Sequence, residues 1–112
     1  MPENWTVEFW CDETGHSPLA DWFASLQPVF QKRFAKLFGY LELLGNQLRL
    51  PHSRPLHDGL FELRDTGTGP GYRVYYCFRK NRVILLLFSG SKTSQEKDIK
   101  KALKIMGGLS DE

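Results

Sequence analysis

Between Gly59 and Lys92 the chain reads Leu60-Phe61-Glu62-Leu63-Arg64, then Gly71-Tyr72-Arg73-Val74-Tyr75, then Arg82-Val83-Ile84-Leu85-Leu86-Leu87-Phe88, and closes on Ser89-Gly90-Ser91-Lys92. Apolar and aromatic runs of strand length, separated by Gly, Pro, Asp and Asn, predict three consecutive strands. Asp65-Thr66-Gly67-Thr68-Gly69-Pro70 joins the first pair and Arg79-Lys80-Asn81 the second, both short enough for an antiparallel meander. Residues 83–88 are continuously apolar, as in a central strand buried on both faces. The runs also carry embedded arginines. A guanidinium in an apolar β run is costly to desolvate, so it turns outward or faces a compensating anion. The sheet is therefore a candidate phosphate-binding surface.

Working outward, Thr6-Val7-Glu8-Phe9-Trp10 alternates as a half-buried strand does, with Val7 and Phe9 on one face. Ser17 before Pro18 has the form of an N-cap with proline in the first helical position, which predicts a short helix over residues 18–26. Pro28 opens a second helix in which Phe30, Phe34, Leu37, Phe38, Leu41 and Leu44 form one apolar stripe, ending near Gly45-Asn46. Pro51, Pro55 and Gly59 make residues 50–59 read as an irregular crossing. A last helix is expected from about Ser94, with Ile99, Ala102, Leu103 and Met106 inward and Lys97, Lys100, Lys101 and Lys104 outward. The order β-α-α-β-β-β-α predicts an α+β fold. An antiparallel sheet of about four strands would carry its helices mainly on one face and leave the other partly open.

A chain of 112 residues suits one domain spanning residues 1–112, and 41% hydrophobic with 25% charged residues lies in the globular range. The net charge of +2 is unevenly spread: residues 1–31 hold Glu3, Glu8, Asp12, Glu13 and Asp21 and no Lys or Arg, whereas residues 32–112 hold 15 bases against 8 acids. A basic body beside an acidic segment fits a polyanionic partner, although ordinary solvated surface charge reads the same way. Cys11 and Cys77 stand in apolar surroundings and read as buried thiols of a reducing, cytoplasmic setting. No apolar run approaches the roughly 18 residues of a membrane span, and Met1-Pro2-Glu3-Asn4 has no basic segment leading into an apolar one, so no membrane partner is expected.

Several chemistries lack their motifs. Gly67, Gly69 and Gly71 match neither phosphate-loop fingerprint and precede a strand, so a flexible turn is the better reading. His16, His52 and His57 show no zinc-ligand spacing, and no Gly-x-Ser-x-Gly elbow is present. Neither a metal nor a cofactor is therefore expected. What remains is Arg64, Arg73 and Lys92 on three neighbouring elements, which hairpin pairing can bring together around a phosphate. Each also has a local alternative: Arg64 pairing with Glu62 or Asp65, Arg73 at the sheet edge, Lys92 as a loop residue. Tyr72, Tyr75 and Tyr76 interleave with these cations, where exposed aromatics could stack unpaired bases.

These residues carry a resemblance. Gly59-Leu60-Phe61-Glu62-Leu63-Arg64, Gly69-Pro70-Gly71-Tyr72-Arg73-Val74-Tyr75, Val83-Ile84-Leu85-Leu86-Leu87 and Ser91-Lys92-Thr93-Ser94-Gln95-Glu96-Lys97-Asp98-Ile99-Lys100-Lys101-Ala102 resemble the RelE/ParE superfamily of toxin-antitoxin toxins. The similarity is greatest to the HigB-related branch of addiction module killer proteins, and is dense over residues 55–106. It implies a small bacterial toxin that cuts messenger RNA, commonly in the ribosomal A site. A cognate antitoxin, usually a helix-turn-helix DNA-binding protein, would silence it.

Carried over by position, the resemblance implies that Arg64, Arg73 and Lys92 hold the scissile phosphate while the 2′-hydroxyl attacks, giving a 2′,3′-cyclic phosphate without a metal. Glu62 stands where the RelE-type nuclease has a second lysine, and the final helix lacks that nuclease's tyrosine. Glu62 and His57 are then candidate bases. Arg54, Tyr72, Tyr75, Arg79, Lys80 and Arg82 form the candidate RNA-binding set. ParE-like members of the superfamily bind DNA gyrase and cut no RNA, so a non-enzymatic toxin directed at a protein partner stays open. So does a plain RNA-binding domain.

Overall fold

The computed structural model describes residues 4–109. Its elements are β1 (Thr6–Phe9), α1 (Pro18–Ser25), α2 (Pro28–Leu44), β2 (Ser53–Pro55), β3 (Phe61–Arg64), β4 (Arg73–Arg79), β5 (Val83–Gly90) and α3 (Gln95–Gly107), with 3-10 turns at Gly45–Gln47 and Lys92–Ser94. The fold is α+β, with one five-stranded sheet in the order β1-β5-β4-β3-β2.

The helices begin and end on the expected residues. The Ser17 side chain accepts from the Ala20 amide and Pro18 fills the first turn of α1. Pro28 opens α2, and Gly45 closes it with φ +52, a conformation that L side chains avoid. A Cβ at Gly45 would also lie 2.0 Å from Trp5 Nε1, so glycine is required there twice over.

Three expectations are corrected. Residues 50–59 contain a strand, β2, which pairs antiparallel with β3 through Ser53↔Leu63, Arg54↔Glu62 and Pro55↔Phe61. Proline is tolerated because β2 is an edge strand whose outer side needs no ladder bond. The sheet is mixed rather than antiparallel, since β1 runs parallel to β5. A parallel pair needs a long crossover, and the helices and the meander between β1 and β5 supply it.

Third, the helices cover both faces. Leu19, Phe34, Leu37 and Leu41 of α1 and α2 pack with Leu63, Val74, Tyr76, Ile84 and Leu86 on one side, whereas Ala102 of α3 packs with Leu60, Tyr75, Cys77 and Leu87 on the other. Strand β5 feeds both cores, as its unbroken apolar run requires. Its ladder with β4 slips between Tyr75 and Tyr76, which face Phe88 and Leu86 respectively, leaving Leu87 as an extra residue on β5. Cys77 is buried as expected, but Cys11 is exposed just beyond the end of β1. Among the described residues, no helix is long and apolar enough to cross a membrane.

Candidate functional site

On the α3 side of the sheet, strand pairing assembles a charged cluster. Glu62 of β3 has Arg54 of β2 as its register partner on one side and Tyr75 of β4 on the other. The two-residue period of a strand puts Arg64 on the same face as Glu62, and Arg64 pairs across the sheet with Arg73. Three guanidinium groups thus surround one carboxylate. Arg54 Nη2 lies 3.2 Å from Glu62 Oε1, Arg64 Nε 3.7 Å from Oε1, and Arg73 Nε 3.6 Å from Oε2. From the first residue of α3, the Gln95 amide donates to Oε2.

The burial is graded. The Glu62 side chain is 0% exposed, and those of Arg73, Arg64 and Arg54 are 9%, 28% and 43% exposed. A lone buried carboxylate would be very costly, and three cations offset that cost. Formally the cluster keeps two positive charges in excess, directed toward the surface. Arg64 and Arg73 each approach Glu62 through Nε. All three Nε atoms and Glu62 Oε1 are buried without a hydrogen bond among the described residues, so charge rather than hydrogen bonding organises the cluster.

Beneath the arginines lies the Tyr75 ring, fully buried, its hydroxyl likewise without a partner among the described residues. Burial first, then the nearby charges of Glu62 and Asp98, push this phenol well above its ordinary pKa, so it stays protonated. Stacking of bases on Tyr75, one expectation from the sequence, is closed off by this enclosure. Tyr76 points to the opposite core, where its hydroxyl and that of Ser53 are hydrogen-bonded and burial raises its pKa to about 12.

Lys92 is exposed at the same end of the sheet. Its backbone N–H donates to the Pro70 carbonyl at 3.2 Å, which ties it to the loop leading into Arg73. The turn carrying Lys92 is fixed by the Ser91 amide donating to Ser94 Oγ and by the Ser94 hydroxyl donating to Asp98. Gly90, the register partner of Arg73, makes room for that arrangement, because a Cβ there would lie 1.7 Å from Asp98 Oδ2.

Other expected residues fall elsewhere. His57 sits in the β2–β3 hairpin loop, 61% exposed, its Nδ1 3.2 Å from Asp58. Arg79, Lys80 and Arg82 occupy the β4–β5 hairpin at the far end of the sheet; Arg79 lies six residues on from Arg73, about 20 Å along β4. Arg82 lies over the Trp5 ring at 4.5 Å. Tyr72 is half-buried and packs edge-on against Trp22 and Phe30. Asp65, an alternative partner for Arg64, instead faces Arg33, whose Nη1 reaches Asp65 Oδ2 at 3.2 Å and the Thr68 carbonyl at 2.7 Å. Gln95 was not singled out by the sequence reading, and an amide at the start of a helix carries no local sign of where it reaches.

A mixed five-stranded sheet with helices on both faces and a cationic cluster at one end defines a small α+β protein of RelE-like architecture. Residues 21–106 match the family described as phage derived protein Gp49-like (DUF891), and the chain belongs to that family, a family of RelE/HigB-like toxins. A protein of Haemophilus influenzae (strain ATCC 51907 / DSM 11121 / KW20 / Rd), described as uncharacterized, is 45% identical over 49 residues, covering 44% of this chain and 48% of its own. The chain is thus matched to about half the length of that relative.

Proposed function

We propose that this protein is a cytoplasmic toxin of a bacterial toxin-antitoxin module, of the HigB-like killer branch, that cuts messenger RNA on the ribosome. The observation that carries the reading is the convergence of Arg64 and Arg73 on a buried carboxylate, with Lys92 at the same end of the sheet. In this reading the scissile phosphate rests against the guanidinium groups of the two arginines. The 2′-oxygen attacks phosphorus, the bond to the 5′-oxygen breaks, and a 2′,3′-cyclic phosphate and a 5′-hydroxyl result. Negative charge grows on the non-bridging oxygens as this happens, and fixed cations in a partly desolvated site stabilise it.

Glu62 is enclosed and His57 faces Asp58, so the reading rests on electrostatic stabilisation and assigns no base. Glu62 acts through the arginines as a positioning residue. An antitoxin, expected to be a helix-turn-helix protein, would inhibit by covering the cations.

The test is to add purified protein to translating ribosomes and map message ends. Wild type should create new ends, and Arg73→Ala should lower cleavage by roughly a hundred- to a thousandfold, as removal of one transition-state donor does. Intact messages with both proteins would overturn the reading. A second reading, a ParE-like toxin that grips gyrase or another protein without chemistry, is favoured by the carboxylate at the centre of the cluster, which would repel a phosphate. Inhibition of supercoiling with messages left whole would select it.

A further inference from the structure

Beside Arg64 the surface opens into a pocket of about 130 Å³ between α2 and the start of the β3–β4 loop, lined among others by Arg33, Lys36, Tyr40, His52 and Arg64. Of these, the sequence marks Arg64 as a candidate site residue, whereas His52 enters only as a histidine without zinc-ligand spacing. Tyr40 and His52 are both half-buried, their ring centroids 5.1 Å apart and their planes inclined by 51°, which makes an aromatic wall partly open to solvent. The Lys36 ammonium stands 5.9 Å from the Tyr40 centroid, so this aromatic surface already has a cation over it. The acid of the pocket, Asp65, is engaged by Arg33, which leaves Lys36 and Arg64 as cationic groups not matched by it.

Three features converge on one ligand chemistry. An aromatic wall suits the flat face of a nucleobase, and flanking cations suit the phosphates on either side of it. Arg64 is common to this pocket, on the α2 side, and to the Glu62 cluster, on the α3 side, so a strand that engages both passes around the end of the sheet at Arg64. We infer that the pocket is a nucleotide subsite: it takes the base of a single-stranded RNA nucleotide next to the linkage at Arg64 and Arg73, with Tyr40 and His52 stacking the base and Lys36 holding its phosphate. That this neighbour flanks a cut, rather than a merely bound linkage, rests on the nuclease reading. The occupant is unpaired, because a base locked in a duplex does not present its face to a side-chain wall.

The experiment uses a short fluorescein-labelled 2′-O-methyl oligoribonucleotide, which cannot be cleaved because its 2′-oxygens are blocked, and follows binding by fluorescence anisotropy. Tyr40→Leu, which keeps apolar bulk against α2, and Lys36→Met should each weaken binding about tenfold, the scale of one lost base–aromatic stack. Tyr40→Phe, which keeps the ring, should bind within about twofold of wild type. Message-end mapping with Tyr40→Leu should also show a changed base preference beside the cut. Wild-type affinity in both Tyr40→Leu and Lys36→Met, with each protein folded by circular dichroism, overturns the subsite; so does a wild type that fails to bind the oligonucleotide. A wild type that binds with the expected pattern yet cuts no message removes the nuclease reading and leaves the base pocket standing.

Discussion

Arg64 and Arg73 are register partners across β3 and β4, two like charges in directly opposed positions. Such a pair destabilises a sheet unless something compensates it. Glu62, two residues back along β3, supplies the compensation and lies within 3.7 Å of both. The two cations stay together only because a buried anion holds them, so the cluster is a unit rather than a sum of residues.

Removing that anion should therefore cost stability as well as function. Glu62→Ala leaves three guanidinium groups without a carboxylate, and loss of one partner from a buried ionic group typically costs about 3–5 kcal/mol. Urea unfolding should show this for Glu62→Ala. The double variant Glu62→Gln with Arg54→Met should recover part of it, because one cation leaves with the anion. An unchanged midpoint in Glu62→Ala would remove Glu62 from its organising role.

The adjacent tyrosines should respond in opposite ways to loss of their hydroxyls. The Tyr75 hydroxyl is buried without a hydrogen bond among the described residues, so Tyr75→Phe should be neutral or stabilising. Tyr76→Phe breaks the bond to Ser53 and strands a buried hydroxyl, for a loss of about 1–3 kcal/mol. Equal shifts of the two denaturation midpoints would contradict this assignment of partners.

A third expectation concerns pH at the turn before α1. His16 has Asp21 against Nε2 and Asp12 3.7 Å from Nδ1, and its hydrogen bond and charge contact with Asp21 raise its pKa above the ordinary 6.5. A raised histidine gives stabilisation that is complete below 6.5 and fades as pH rises through the folded value. Asp12 has the opposite sign: hydrogen bonds from Thr14 and His16 lower its pKa, so its contribution holds above 3.8 and fades as pH falls through the folded value. The turn should be held best between 3.8 and 6.5. Proton NMR titration should place His16 above 6.5, and Asp21→Asn should bring it down; a wild-type value at or below 6.5 would refute the pairing.

What could be read in the chain was what local pattern encodes. Apolar spacing from Phe30 to Leu41 has one helical solution, and proline and glycine mark the ends of α2. The unbroken run in β5 likewise predicts a strand between two cores. Strand β2 escaped because Pro51 and Pro55 suppress the usual signals, while its reality depends on β3 offering an edge. The parallel seating of β1 on β5 and the placement of α3 on the opposite face are long-range choices that no short window records. The same holds at the site. Arg64 and Arg73 were legible as charges out of place in apolar strands, whereas the depth of Glu62, the enclosure of Tyr75 and the reach of Gln95 follow from register and layering.

The additional residue at Leu87 sets the phase of everything that follows it on β5. Because Leu87 and Phe88 both contribute to the α3-side core, the alternation restarts there, and Gly90 rather than Ser89 comes to lie beneath Asp98. Were the ladder to run on without the slip, with Leu87 opposite Tyr75, Ser89 would stand opposite Arg73 and present a Cβ where only a hydrogen fits. The slip at this point thus keeps a glycine under Asp98 and lets the turn that carries Lys92 be held by Ser94 and Asp98.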